Sequence, residues 1–456
     1  MKTLLNKLFK KSYFPWVFQV MFIVVAILLM WGGWDVNTPD RKVLMQLRNT
    51  NLPNLLVWSY WWPMLILVTI FFGRLWCTVC PVEFLSRICA RFGLKLNPPK
   101  FIRSRWLIVI LYAFISVVAV RYWDIHRVPH YMALYLLIAF LVAIVVGLLF
   151  KERSFCKYFC PIGLLLAFYS LMSRWGIHVK KQPACKLCKD KNCMNHKLGQ
   201  TFLASPCLSN VNVLDDKHDK RHCQLCMHCM KLCPNDNISY SPSKRSYDLM
   251  SLLNMKSAEV AMAILVIAYS FHEAVSSKST VGQFMKSFSE FCSTVIPDAI
   301  IPAKIMDGIA LFIVLPTLCF ALCAAINTLI GKQTFKQSFI YAVAFLLPLG
   351  VIGELNKGIF KMLSRFPYIK YSLADFEGSA YAEAIAKKEI IIERVPYYNE
   401  ILMCVGLVVF TWAMVVILRK IRNEQSLAVQ SKILFAVFAA LYYLTAGIYP
   451  ALMKVF

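Results

Sequence analysis

Four cysteines and a proline stand in one short run, Cys223-Gln-Leu-Cys226-Met-His-Cys229-Met-Lys-Leu-Cys233-Pro234. Thiolates at this close spacing fit successive corners of a cubane cluster, and in two-cluster ferredoxins the fourth cysteine ligates the other cluster. A zinc site would also take four thiolates, but zinc ribbons favour two separated Cys-x2-Cys pairs over a continuous run. The run therefore predicts a [4Fe–4S] site.

Another group of cysteines precedes this run with a less regular spacing, and it predicts that the chain binds two [4Fe–4S] clusters in all. Sharing of ligands between two clusters predicts two sets of four: Cys185, Cys188, Cys193 and Cys233 for the first cluster, and Cys223, Cys226, Cys229 and Cys207 for the second. His196 is an alternative ligand of the first cluster, although a solvated loop histidine is the interpretation we prefer.

Two further motifs follow the second and fourth apolar runs, Cys77-Thr-Val-Cys80-Pro81 and Cys156-Lys-Tyr-Phe-Cys160-Pro161. Their prolines lie 80 residues apart, which predicts an internal two-span repeat. A repeat of this kind would bring four thiols together, enough for a third Fe–S centre. Redox-active thiols or a purely structural role are the alternatives that the sequence leaves open.

The composition points to a membrane protein. Of 456 residues, 59% are hydrophobic and 16% charged, whereas soluble domains carry about 25% charged residues. Runs of roughly 20 apolar residues predict nine transmembrane helices, near 14–33, 54–73, 106–121, 131–150, 257–275, 303–330, 337–355, 399–418 and 432–452. A soluble enzyme, a nucleic-acid-binding protein and a secreted disulfide scaffold are all disfavoured.

Charge in alternate loops predicts the orientation. Segment 151–250 has 16 basic and 7 acidic residues, whereas segment 356–400 has seven basic and six acidic residues. Because Lys and Arg mark cytoplasmic loops, we expect the N-terminus and the clustered cysteines on the cytoplasmic face of the cell inner membrane, and the C-terminus outside. Thiols in the cytoplasm stay reduced and free to bind metal.

These motifs resemble the membrane polyferredoxin family of NapH, YccM and the C-terminal half of NosR. Cys156, Cys160 and Pro161 match the family's Cys-x3-Cys-Pro motif, and Cys77, Cys80 and Pro81 match it with one residue fewer between the cysteines. The resemblance covers residues 14–250. It implies electron transfer at the membrane, often between the quinol pool and a periplasmic reductase. The electrons would serve either the reductase itself or its maturation.

We therefore predict an all-α polytopic membrane protein with a small cytoplasmic ferredoxin-like two-cluster [4Fe–4S] insert. Its domains are a four-helix membrane region (1–150), a cytoplasmic segment (151–250) and a five-helix membrane region of unknown role (251–456). It would pass single electrons between a quinone pool or soluble donor and a partner redox subunit, rather than act as a complete enzyme. A redox-sensing regulatory or assembly protein for a reductase is the alternative. A metal-sensing transporter is a further alternative, which the sequence favours less.

Other redox cofactors find little support in the sequence. Only His126, His130 and His272 lie near predicted spans, and all three map to outer ends. A haem between His272 and one of the other two, or a quinone site, is open but unsupported. No partner other than the membrane, a quinone and redox subunits is expected, and no nucleic acid.

Overall fold

The computed structural model describes residues 2–193, 207, 221, 223–242, 252–275, 279–296, 300–331, 333–393 and 398–448. They are mostly helical, and they belong to two compact units that are interleaved along the chain. Unit 1 comprises Met1–Trp31, Met64–Ile108 and Leu134–Ser251, and unit 2 comprises Gly32–Pro63, Val109–Ala133 and Leu252–Phe456. The division into three consecutive domains stays a prediction.

Seven helices among the described residues are long and apolar enough to cross a membrane: Leu52–Phe72, Pro129–Leu149, Ser257–Ala274, Ala303–Ile330, Phe335–Ser364, Ile401–Asn423 and Val429–Ile448. They coincide with seven of the nine predicted spans. The other two predicted spans contain the shorter helices Trp16–Trp31 and Trp106–Val120. A 16-residue helix rises about 24 Å, short of a hydrocarbon core of about 30 Å. The number of spans therefore stays a prediction.

Unit 1 combines apolar helices with short helices around the cysteines. Its helices include Lys2–Lys10, Trp16–Trp31, Leu75–Val79, Pro81–Phe92, Lys100–Arg103, Ser154–Tyr158, Pro161–Tyr169, Ser170–Met172, Gln182–Lys186 and His228–Leu232, with most of Trp62–Phe72 and Pro129–Leu149. Strands β1 (Trp175–Val179) and β2 (Ile238–Pro242) pair antiparallel, with Trp175 opposite Pro242 and Val179 opposite Ile238.

The two-stranded sheet is stabilised by an apolar core, since an isolated pair of strands is marginal in water. Phe9 from the first helix packs against Ile177 of β1 and Tyr240 of β2. Leu225 and Met230, from the run between Cys223 and Cys233 (the second cysteine run), complete this core. The cysteines Cys193, Cys223, Cys229 and Cys233 pack against this core. The core therefore positions both ferredoxin-type cysteine sets.

Gly73 lets the chain turn from an apolar helix into the first Cys–Pro motif. Its φ of +71° lies in the left-handed region that favours glycine. A Cβ atom at this position would lie 3.1 Å from Leu225 Cδ1 and 3.3 Å from the Trp175 carbonyl oxygen. The turn thus depends on glycine for its backbone conformation and for its close approach to the second cysteine run.

Unit 2 is built around the helix Phe335–Ser364, which packs against Ser257–Ala274, Leu315–Ile330 and Tyr398–Asn423. Most of this central helix is buried, unlike the outer helices of the unit. Its other elements include Arg41–Thr50, Leu52–Leu55, Leu56–Trp61, Ile115–Val120, Thr280–Val295, Ala303–Ile309, Ala310–Val314, Phe366–Tyr368, Ile369–Ala374, Ser379–Ala386, Val429–Tyr443 and Leu444–Ile448.

Candidate functional site

The cysteines predicted for the first cluster lie close together in unit 1. Burial, and after it the nearby Cys233 and Cys185 thiols, raise the pKa of Cys193 to about 11, and Cys188 adds to the shift. Asn237 contacts two of the four: its backbone N–H donates to Cys233 Sγ at 3.2 Å, and its side-chain amide donates to Cys185 Sγ at 3.1 Å.

Asn237 is a site residue that the sequence analysis missed. The residue is 5% exposed, and its amide oxygen accepts from the Lys181 backbone N–H at 2.9 Å while its amide nitrogen donates to the Lys181 carbonyl at 2.6 Å. An asparagine just beyond a Cys-Pro pair carries no motif of its own. Its position depends on the chain at residue 181, which the spacing of cysteines cannot show.

The cysteines predicted for the second cluster also lie together. Burial, and after it the nearby Cys226 and Cys207 thiols, raise the pKa of Cys223 to about 12. Burial and the same neighbours raise the pKa of Cys229, to which Cys193 of the first set also contributes. The two sets are therefore close enough for their thiols to interact. His196, the alternative ligand, lies outside the described residues.

The two Cys–Pro motifs bring a third set of four thiols together. Burial raises the pKa of Cys156, and the neighbouring thiols of Cys160, Cys80 and Cys77 each add to the shift. Burial raises the pKa of Cys160 to about 11. The Gly163 N–H, which donates to Cys160 Sγ at 3.3 Å, partly opposes this shift.

Each motif begins a helix in the same way. Cys80 is the N-cap of Pro81–Phe92 and Cys160 the N-cap of Pro161–Tyr169, with proline at the first helical position of both. Proline suits this position because its missing N–H would have no intrahelical partner. Helix N-termini carry a partial positive charge that favours anions, so both motifs direct a favourable field at a thiolate.

Side chains from the first motif hold the second cysteine run in place. Arg74 Nη1 donates to the Arg221 carbonyl at 3.0 Å, and Thr78 Oγ1 donates to the Leu225 carbonyl at 2.6 Å. Arg74 and Thr78 are both buried. The third set of thiols therefore lies against the loop that carries the second set.

A buried ion-pair network connects the same two sets. Arg153 hydrogen-bonds to Cys226, and its Nη2 lies 3.5 Å from Glu83 Oε1. Glu83 also lies 3.4 Å from Arg87 Nε and accepts from Gln19 Nε2 at 2.9 Å. The role of Glu83 depends on contacts between distant segments, which no motif in the sequence reveals.

The donor chemistry of these sets fits iron–sulfur clusters. Crowding and burial disfavour four separate thiolates, whereas a cationic iron–sulfide core would compensate their charge. Among the described residues, no three His, Cys, Asp or Glu side chains converge closely enough to hold one metal ion. A cubane does not need such convergence, because each thiolate binds a different iron.

Comparison with known proteins supports a 4Fe–4S domain. Residues 54–99 and 132–180 match the family described as "4Fe-4S binding domain". The two matched segments contain the Cys–Pro motifs and end before Cys185. Each matched segment contains one Cys–Pro motif, and the two-span repeat stays a prediction.

Two uncharacterised proteins of Methanocaldococcus jannaschii are similar to this chain. One is 26% identical over 37% of this chain and 65% of its own length, and the other is 25% identical over 39% and 76%. The chain thus spans about two thirds of the length of the first relative. No solved structure matches it.

The family match and the apolar helices together confirm the coarser predictions. The chain carries a 4Fe–4S binding domain, which supports iron binding and electron transport, and its seven long apolar helices fit a membrane protein. The more specific resemblance to NapH and NosR, the number of clusters and their ligands stay predictions.

Proposed function

We propose that this chain is a membrane-anchored electron-transfer protein that passes single electrons through three [4Fe–4S] clusters. The observation that carries the proposal is the continuity of the three cysteine sets within unit 1. Cys193 of the first set interacts with Cys229 of the second, and Arg153 hydrogen-bonds to Cys226 while lying close to Cys156 of the third.

The ligands would be Cys185, Cys188, Cys193 and Cys233 for the first cluster, Cys207, Cys223, Cys226 and Cys229 for the second, and Cys77, Cys80, Cys156 and Cys160 for the third. Bound there, the clusters would supply one-electron couples whose potentials depend on charge, hydrogen bonds and solvent exposure. The match of a 4Fe–4S family to the segments with the Cys–Pro motifs supports a cluster there over plain thiols.

The residues around the thiols would tune these couples. Asn237 donates hydrogen bonds to two sulfurs of the first set, which stabilises the more negative, reduced state. Arg153 places a buried positive charge between the second and third sets and would act in the same direction. Lys231 adds a cation near the second set: burial lowers its pKa to about 8, and Cys226 opposes this shift.

Donor, acceptor and sidedness form the finer part of the proposal. The excess of basic residues in segment 151–250 supports a cytoplasmic position for the clusters. From there, electrons would pass between a quinone pool or a soluble donor and a partner redox subunit.

The test is the content of iron, acid-labile sulfide and zinc per chain in anaerobically purified protein. Three cubanes predict about 12 iron with matching sulfide, and two predict about 8. A Cys156→Ala variant should lose about 4 iron, whereas Cys319→Ala, a cysteine in an apolar helix of unit 2, should lose none.

About 8 iron in both the wild type and Cys156→Ala would remove the third centre and leave the electron-transfer proposal on two clusters. Stoichiometric zinc without sulfide would overturn electron transfer altogether. Clusters that form but exchange no electrons with quinol or with a reduced soluble donor would instead favour the redox-sensing alternative.

A further inference from the structure

Unit 2 contains a large cavity whose wall is strongly basic. Its volume is about 980 Å³, and its lining includes eight Lys or Arg side chains against three Asp or Glu. We call it the basic cavity. Helices Ser257–Ala274 and Phe335–Ser364 end at it, whereas Ala303–Ile330 begins there, so it lies at one end of the unit-2 helices.

The three acids of the basic cavity are already matched with cations. Each lies in an ion pair across or along the wall: Asp124 with Arg127 at 3.1 Å, Asp307 with Arg121, and Glu273 with Lys357. These pairs leave the remaining cations of the wall without a carboxylate of the cavity to neutralise them.

Three of these cations surround one histidine. Arg48, Lys361 and Arg365 have no carboxylate within ion-pair distance among the described residues. Burial, and after it the charges of Lys361, Arg127, Arg48 and Arg365, lower the pKa of His126 to about 3. Burial and the charge of Arg48 also lower the pKa of Arg365 to about 10. The chain thus concentrates positive charge that it does not neutralise.

Unused hydrogen-bond donors lie in the same wall. Arg48 Nε, Arg127 Nε and Trp58 Nε1 are buried and have no acceptor in the described part of the chain. Arg365 Nη1 donates to the neutral hydroxyl of Ser59 at 2.6 Å. Buried donors and charges left in this state are costly, and an oxyanion in the cavity would remove the cost.

The size and the other walls of the cavity limit the ligand. About 980 Å³ is at the upper end of sites that enclose whole organic molecules, so a bare ion would leave most of it empty. Trp58 and Tyr368 supply aromatic surface in the wall. Arginine forks bind carboxylates and phosphates alike, but a phosphate monoester carries a charge of about −2 and three acceptor oxygens, which match three cations better than a single carboxylate does.

We propose that the basic cavity binds a phosphate-bearing organic anion, with the phosphate held by Arg48, Lys361 and Arg365 and the organic part along Trp58 and Tyr368. The phosphate comes either from a soluble phosphoester or from a lipid headgroup at the ends of the membrane helices. This site is independent of the iron–sulfur proposal, because every residue that carries it belongs to unit 2.

The test uses the whole purified protein in dodecyl maltoside, a detergent without phosphate, titrated calorimetrically with glycerol 3-phosphate. A parallel arm offers phosphatidylglycerol vesicles and measures retained lipid by native mass spectrometry. We expect saturable binding in one arm, weakened about tenfold or more by Arg48→Gln and by Arg365→Gln, since each variant removes charge-assisted hydrogen bonds to the phosphate. Lys336→Gln, which removes an exposed cation of unit 2, should bind like the wild type.

Binding of glycerol 3-phosphate alone assigns a soluble ligand, and retention of phosphatidylglycerol alone assigns a lipid headgroup. Absence of saturable binding in both arms would overturn the proposal, as would equal binding by wild type, Arg48→Gln and Arg365→Gln. Arg365→Lys, which keeps the charge and loses the fork, should recover part of the affinity. Circular dichroism of each variant verifies that it is folded.

Discussion

In unit 1 the buried guanidinium groups of Arg87 and Arg153 share the carboxylate of Glu83, at 3.4 and 3.5 Å. In unit 2 the guanidinium groups of Arg48 and Arg365 line the basic cavity, with no carboxylate at ion-pair distance among the described residues. Both regions hold guanidinium groups at least partly out of water, but among these four only Arg87 and Arg153 are compensated by an acid in the described part of the chain. A compensated cation supports the structure around it, whereas an uncompensated one is left for a ligand.

The largest expected effect comes from removing the shared acid of unit 1. Glu83→Gln would leave two buried guanidinium groups without their carboxylate, and breaking a buried pair in this way costs about 3–5 kcal/mol. We expect a loss of this size in the free energy of unfolding, measured by denaturant titration in detergent, and a parallel loss of iron.

The matched control is Glu290→Gln, which breaks the exposed pair between Lys286 and Glu290. Exposed pairs contribute about 0–1 kcal/mol. A similar cost for both variants would show that the Glu83 network is not the compensating element of unit 1.

The second effect is on redox potential. Arg153→Gln removes the positive charge that lies next to Cys226 and Cys156, and a unit charge at protein-like dielectric shifts a nearby couple by on the order of 50 mV. We expect more negative midpoint potentials in a titration followed by electron paramagnetic resonance.

Two further variants separate charge from position at this site. Arg153→Lys keeps the charge and should restore a midpoint potential close to that of the wild type. Lys186→Gln removes an exposed lysine next to Cys185 and should shift the potential little. An Arg153→Gln protein that titrates like the wild type would contradict a tuning role.

The third effect has the opposite sign in the two regions. Lys361→Met removes an uncompensated cation from the basic cavity, and replacing such a charge by an apolar side chain should raise the free energy of unfolding by about 1 kcal/mol in phosphate-free buffer. Arg87→Met removes a compensated cation of unit 1 and should lower it. If both variants are destabilised to the same extent, the distinction between the two regions fails.

The iron–sulfur site was more accessible to sequence analysis than the basic cavity. Cysteine spacing is local and chemically specific, so it predicted three sets of cysteines, and the fold brings the members of each set close together. The assignment of individual cysteines as cluster ligands stays a prediction. Asn237 and the Glu83–Arg153 pair could not be predicted because they depend on contacts between segments at least 50 residues apart.

The basic cavity was hidden for a different reason. Segment 356–400 is nearly balanced in sequence, with seven basic and six acidic residues, and this balance predicted an ordinary outer loop. The fold places Lys357, Lys361 and Arg365 in the cavity wall, while Glu377, Glu383 and Glu389 do not line it. A charge count along the chain cannot show this separation, which arises in three dimensions.

The smallest expected effect is a pH dependence that originates in the basic cavity. The pKa of His126 is about 3, below its ordinary value of 6.5, because of burial and the facing Lys361, Arg127, Arg48 and Arg365. Between these two values the unfolded chain binds a proton that the folded chain does not, so the stability that this histidine contributes is present above pH 6.5 and is lost as the pH falls toward 3.

The expected loss is about 0.7 kcal/mol between pH 7 and pH 6, measured as the difference in unfolding free energy between wild type and His126→Asn. His130→Asn, a histidine that does not line the cavity, should retain the wild-type slope. A phosphate ligand would weaken the repulsion on a protonated His126, so saturating glycerol 3-phosphate should flatten the wild-type slope. A slope unchanged by His126→Asn would contradict the concentration of uncompensated charge that separates unit 2 from unit 1.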